Sequence, residues 1–209
     1  MHGAWYYVCV SQEVYMKDGS FSCEKARAHF ITITKHKLEV MRNCFAVGLY
    51  GQGIAHDLSK YTPTEFRAGA FNFQGDRSPN AIEREVLGYS PAWLHHKGRN
   101  RHHYEYWIDI RNNTDGTLVG KPMPTRYVVE MFCDRVAACK VYEGVSYTDA
   151  SALRYYKRTA HKMTIHPDSA AMLEGMLEYL AEHGEKETFR AIRENIVRAR
   201  FTFGECARF

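Results

Sequence analysis

No apolar run in this 209-residue chain reaches the ~18 residues that a membrane-spanning helix requires. A membrane role built on such helices is therefore not expected. The opening stretch, MHGAWYYVCVSQEVYMKDGS, lacks a basic start, an apolar stretch and a small-residue cleavage site. No secretory signal is expected from it, and a cytoplasmic setting is. No two cysteines stand at CxxC spacing; Cys9, Cys23, Cys44, Cys133, Cys139 and Cys206 are scattered. That pattern suits reduced thiols, several of them acting as small core residues. Internal repeats and low-complexity tracts are missing. So is a dense basic stripe: 28 Lys and Arg against 24 Asp and Glu, a formal +4, are spread along the whole length. Nucleic-acid binding is thus allowed but not favoured, and a basic mouth for an anionic small-molecule substrate fits equally well.

What is present is core material and histidine. With 45% hydrophobic and 13% aromatic residues the chain can bury a real core, and its length suits one domain, alone or with a modest appendage. The eleven histidines are the compositional anomaly, and their order carries information. At the centre stands Ile54-Ala55-His56-Asp57-Leu58-Ser59-Lys60-Tyr61. Histidine and aspartate both bind zinc, iron or manganese, and a carboxylate can bridge two ions. His36 lies upstream, His95-His96 and His102-His103 crowd together downstream, and Asp134 follows.

The periodicity predicts a mostly helical chain. Residues 1–20 read as a short hairpin or irregular arm, 21–147 as the metal-binding core, and 148–209 as supporting helices of the same domain. A helix is expected from Ser22, as N-cap, to about Gly48. His29, Ile33, His36, Val40, Cys44 and Val47 recur on one face of it, so His36 points inward. A buried neutral histidine with one backbone partner is the plain alternative to a ligand there. Residues 54–61 read as a short helix placing His56 and Lys60 on one side. Thr62, Pro63 and Glu65 read as a capping box that restarts the helix, with a role for Glu65 near the metal as the lesser reading. From Pro79 a helical stretch extends to Trp107, restarted at Pro91 after Ser90 and weakened at Gly98; on it His96, Asn100 and His103 would align, with His95 and His102 as the neighbouring stripe. A helix over 125–142 puts Tyr127, Met131, Asp134, Ala138 and Val141 on one face. An aspartate on a core face must be paired, hydrogen-bonded or metal-bound. Helices at about 168–183 and 185–201, broken at His183-Gly184, complete the chain. His161, His166 and His183 are expected at the surface or at helix caps.

The order of an early His, a His-Asp doublet and a late Asp resembles the HD superfamily of metal-dependent phosphohydrolases. The matching residues are His36, His56-Asp57 and Asp134. The resemblance implies an all-α, HD-domain-like helical bundle holding one or two divalent transition metals, manganese, iron or zinc. In binuclear members further histidines lie between the doublet and the last Asp, and His95, His96, His102 and His103 occupy that interval. The form His56-Asp57-Leu58-Ser59-Lys60 is similar to the HDxxK doublet of cyclic-dinucleotide phosphodiesterases and of di-iron HD oxygenases, where the lysine contacts the substrate anion. Lys60 would inherit that role. No GYP-type signature accompanies it, so a cyclic dinucleotide is not implied. More narrowly, HDLSKYTPTEF followed by AWLHHKGRNRHHYEYW resembles an uncharacterised family of short bacterial and phage proteins.

The resemblance thus implies hydrolysis of a phosphomonoester or phosphodiester, with a nucleotide among the candidates. Metal ligands are expected at His36, His56, Asp57, His96, His103 and Asp134, with His95 and His102 as alternates and Asp57 and Lys60 in catalysis. Two rivals share the residues: a di-iron oxygenase, and a non-enzymatic nucleic-acid- or protein-binding helical protein with a structural metal.

Overall fold

The computed structural model of the chain describes residues 22–112 and 115–197. The expected arm at 1–20 lies outside the described residues. These are mostly helical, with one short two-stranded sheet, as an all-α bundle requires. Among them no helix is long and apolar enough to cross a membrane. They fall into two compact units. The first comprises the residues up to Thr34 together with Leu58–His96; the second comprises Lys35–Asp57 and the residues from Lys97 onward.

One helix, α1 (Cys23–Val47), runs through both units. It begins where expected: the Ser22 hydroxyl accepts from the Lys25 amide at 3.0 Å, satisfying one of the donors a helix start leaves open. In the first unit the beginning of α1 is joined by a 3-10 turn (Leu58–Tyr61), α3 (Pro63–Phe71), α4 (Pro79–Leu87) and α5 (Pro91–Lys97), whose Lys97 already belongs to the second unit. Each of the last three starts on proline, whose missing N–H and fixed φ suit a first helical position. Ser90 caps α5, accepting from the Trp93 amide at 3.0 Å while donating to buried Glu83. Thr62 does not complete a capping box. Its hydroxyl donates to the Ser59 carbonyl at 2.6 Å, and Glu65 is committed elsewhere.

The second unit carries the hydrophobic core. Val40, Cys44 and Val47 from α1 meet α6 (Thr125–Glu143) and α8 (Pro167–Ile192), with α7 (Ser151–Thr159) packed alongside. Helix α6 is buried on most of its circumference, through Val128, Val129, Met131, Phe132, Cys133, Val136 and Ala137, as befits a central helix. Leu173, Met176, Leu177 and Leu180 form the apolar stripe of α8, and full burial of each such side chain is worth roughly 1.5–3 kcal/mol. Gly184, at φ 76°, breaks α8 internally at the position where two helices were expected to meet. His166 caps α8 by accepting from the Asp168 amide, and His161 and His183 are exposed, as expected.

Two helical expectations are corrected. Residues 54–61 are not one helix: α2 (Tyr50–Ala55) stops, His56 is extended (φ −51°, ψ 127°), and Asp57 takes φ +53° before the 3-10 turn begins. Nor does a helix continue from Pro79 to Trp107. After α5 ends, residues 98–103 are irregular, Tyr104–Trp107 form a 3-10 turn, and β1 (Ile108–Ile110) pairs antiparallel with β2 (Leu118–Gly120). The three-four periodicity of the histidines was therefore not helical, and His96, Asn100 and His103 do not lie along one helix. The helix stops at Lys97, just before Gly98, whose low helix propensity weakens it there.

Candidate metal centre

Four elements of the second unit converge. Helix α1 presents His36 from the face that also buries Val40 and Cys44. The sharp break after α2 presents His56 and Asp57 side by side, and α6 presents Glu130 and Asp134 one turn apart. The irregular segment before the second 3-10 turn presents His102 and His103. His56, Asp57 and His102 are 2% exposed or less, too little for water to solvate their polar atoms.

The geometry is centred on Asp57. Its Oδ2 faces His56 Nε2 at 3.3 Å and His36 Nε2 at 3.9 Å. Asp134 Oδ1 closes that side, 2.9 Å from His36 Nε2 and 3.7 Å from His56 Nε2. Asp57 Oδ1 faces a different histidine, His102 Nε2, at 3.4 Å. His36, His56, Asp57 and Asp134 each offer a donor atom within 4.8 Å of all the others, and so do Asp57, His102 and His103. Donors that each sit about 2.1 Å from one ion stand roughly 3–4 Å apart, so the spacing fits a divalent cation. These buried groups could hold a metal ion. Within the second unit Asp57 is thus joined by His36, His56 and the Asp134 carboxylate on one side and by His102 and His103 on the other, donor types that suit manganese, iron or zinc.

Behind the imidazoles lies a layer that fixes them. Glu130 Oε1 accepts from His56 Nδ1 at 2.9 Å and stands 3.2 Å from His102 Nδ1. Burial alone would raise the Glu130 carboxyl, but the contacts with His102 and His56 outweigh it and hold the group at about 2. An ionised carboxylate only accepts, so both rings carry a proton on Nδ1 and turn Nε2 toward Asp57. The Gln52 amide donates to Glu130 Oε2 at 2.7 Å and to the Arg126 carbonyl at 3.1 Å, which fixes the carboxylate in turn. Lys37 donates to the carbonyls of Ile54 at 2.7 Å and His56 at 2.8 Å. It thereby pins the strained turn that delivers the doublet. Burial lowers the Lys37 ammonium, opposed by the charges of Asp57 and Cys44.

Burial disfavours a charged His56, yet the Asp57 charge and contacts with Asp134, Asp57 and Glu130 hold its imidazole well above its ordinary value. The Asp134 carboxyl, raised by burial alone, is held well below its ordinary value by His36 and His56. The cluster thus favours positive charge at its centre, which a metal ion supplies in place of a proton.

Of the residues singled out in the sequence, His36, His56, Asp57, Asp134, His102 and His103 come together in the second unit. Lys60, His95 and His96 belong to the first. There Glu65 bridges the two histidines, Oε1 to His95 Nδ1 at 2.6 Å and Oε2 to His96 Nδ1 at 2.7 Å. Glu65 is thus a partner of two histidines and not the cap expected of it. Lys60 lies close enough to His29 for its charge to act on that ring. Burial first, and Lys60 second, lower the buried His29 imidazole to about 4. Sequence reasoning missed Glu130, Gln52 and Lys37. The signal for Glu130 was there: an acid four residues before Asp134 in the apolar run VVEMFCD shares its side of a helix.

A search of curated proteins and of solved structures gives no match to the chain. One family model does match, over residues 25–179, a span that contains every donor of the centre. The chain therefore belongs to that family, described as a family of unknown function (DUF5662).

Proposed function

We propose that this protein is a metal-dependent phosphohydrolase of the HD-superfamily kind, acting on a phosphomonoester or phosphodiester through a binuclear centre. The observation that carries the reading is Asp57, whose two carboxylate oxygens face two separate sets of histidines. A carboxylate so placed suits a bridge between two ions. His36, His56 and Asp134 would complete one site, and His102 and His103 would contribute to the other.

A divalent ion bound there supplies a water of lowered pKa and positive charge against the phosphoryl oxygens. The chain's own residues do the positioning. Glu130 sets the tautomer of His56 and His102, so that each offers an Nε2 lone pair rather than a proton. Gln52 holds Glu130 in place, and Lys37 anchors the backbone of His56. Burial excludes bulk water from the donors and strengthens every charge interaction among them.

The test is a phosphate-ester panel on protein reconstituted with manganese, iron or zinc, beside Asp57→Asn, with metal content read by elemental mass spectrometry. Wild type should carry about two equivalents and turn over at least one ester class; Asp57→Asn should lose activity about a hundredfold or more. Stoichiometric metal with no turnover on any ester would sink the hydrolase reading while leaving the metal centre standing.

A further inference from the structure

Two arginines of the second unit are brought to one oxygen. Arg101 Nη1 lies 3.5 Å from the Tyr127 hydroxyl oxygen, and Arg126 Nη2 lies 3.4 Å from the same atom. The Arg126 guanidinium stacks over the Tyr127 ring at 4.9 Å, and that of Arg101 lies over Tyr106 at 5.6 Å. Among the described residues no carboxylate pairs with either guanidinium, although both are exposed and permanently charged. Like charges placed this close repel each other, and the described residues supply no counter-charge.

Their backbones are held as well. The Trp107 indole donates to the Arg101 carbonyl at 2.8 Å, and the ring of Trp107 packs between those of Tyr106 and Tyr127. The Arg126 carbonyl accepts from the same Gln52 amide that holds Glu130. Fixed stems, stacked guanidiniums and an uncompensated pair of charges are the arrangement by which arginine recognises phosphate oxygens.

Location ties the pair to the centre. Arg101 immediately precedes His102, and Arg126 stands one helical turn before Glu130, about 6 Å along the axis of α6. We propose that Arg101 and Arg126, with Tyr127 between them, clamp an anionic phosphate group of the substrate other than the one hydrolysed. The substrate class is then a phosphate ester bearing a second phosphate, such as a nucleoside diphosphate, rather than a singly phosphorylated sugar or alcohol. That role in the substrate rests on the phosphohydrolase reading; anion binding at the clamp does not.

Two measurements separate the claims. Inorganic pyrophosphate is titrated calorimetrically into metal-loaded wild type, Arg101→Gln, Arg126→Gln and the double variant, with metal content and melting temperature checked in each. The wild type should bind, each single variant should bind about tenfold more weakly or worse, and bound metal should not change. In parallel, KM is compared for a nucleoside diphosphate and for p-nitrophenyl phosphate. The variants should raise the first tenfold or more and leave the second within twofold. Pyrophosphate bound equally by wild type and double variant, or not bound by wild type at all, overturns the clamp. Equal effects of the variants on both KM values overturn the second-phosphate assignment. Pyrophosphate binding that depends on both arginines, in a protein that hydrolyses no ester, upholds the clamp and rejects the hydrolase reading.

Discussion

Single side chains in this protein are tuned by what buries them, and His29 shows it outside the metal centre. Its ring lies between Phe66 and Phe73, against the bare backbone of Gly69. Burial, with Lys60 adding to it, lowers its pKa from 6.5 to about 4. The unfolded chain therefore takes up this proton near pH 6.5 and the folded chain only near 4. Between those values protons favour unfolding, so the stability of the fold falls as pH drops through that window, by roughly 2 kcal/mol at pH 5 relative to pH 7. Urea melts of wild type and His29→Leu at pH 7, 6 and 5 should show wild type losing about that much more than the variant. Parallel losses in the two would show that His29 is not the group responsible. Glu65 nearby is depressed too, but for a different reason: burial would raise it, and His96, His95 and Ser59 hold it below its ordinary value, so its stabilising share is likewise lost as pH falls.

At the scale of elements, the centre depends on how closely α2 approaches α1. Gly53 is the contact point. A Cβ there would meet the Cys44 Cβ at 2.9 Å and the Phe45 ring at 3.2 Å, and Cys44 is wholly buried and unable to yield. Gly51, two residues away on the same helix, has open space where its Cβ would stand. The pair makes an internal control. Gly51→Ala should stabilise by about 0.5–1 kcal/mol through helix propensity alone. Gly53→Ala should destabilise by about 1–2 kcal/mol net, because overpacking outweighs the same propensity gain. Since His56 follows Gly53 by three residues, Gly53→Ala should also weaken metal binding, and Gly51→Ala should not. Chemical denaturation and a metal-chelator competition read both effects, and equal behaviour of the two variants would contradict the packing argument. The same close approach explains why the helix cannot continue through the doublet. Lys37 captures the Ile54 and His56 carbonyls, and Asp57 must swing to positive φ to follow.

For the molecule as a whole, three buried or half-buried carboxylates, Asp57, Glu130 and Asp134, share one cluster with His36, His56 and His102. A cation that binds the folded chain and not the unfolded one stabilises by mass action, about 2.7 kcal/mol at a hundredfold excess over its Kd. For a protein of this length each kcal/mol moves the melting temperature by roughly 2–4 °C. Stripping metal with a chelator and then restoring manganese, iron or zinc should therefore raise the melting temperature by about 5–10 °C. No shift with any of the three ions would weigh against a metal centre, whatever the geometry.

The order of the candidate donors was legible in the sequence because it depends on residue type. Histidine and carboxylate are common ligands of borderline cations, and the three-four spacing of His36, Val40 and Cys44 sets which way the first one points. The helical class was legible for the same reason, since periodicity and caps such as Ser22 are local. Three things were not. The doublet turns through a positive φ imposed by contacts from Lys37, and no local pattern encodes that. His102 and His103 look helical by their spacing from His95 and His96 yet lie beyond the end of α5 at Lys97, in irregular chain whose course no periodicity gives. Finally, Glu130, Gln52 and the arginine pair act through side chains distant in sequence. Their meeting is set by packing between helices, a non-local quantity that residue order does not display.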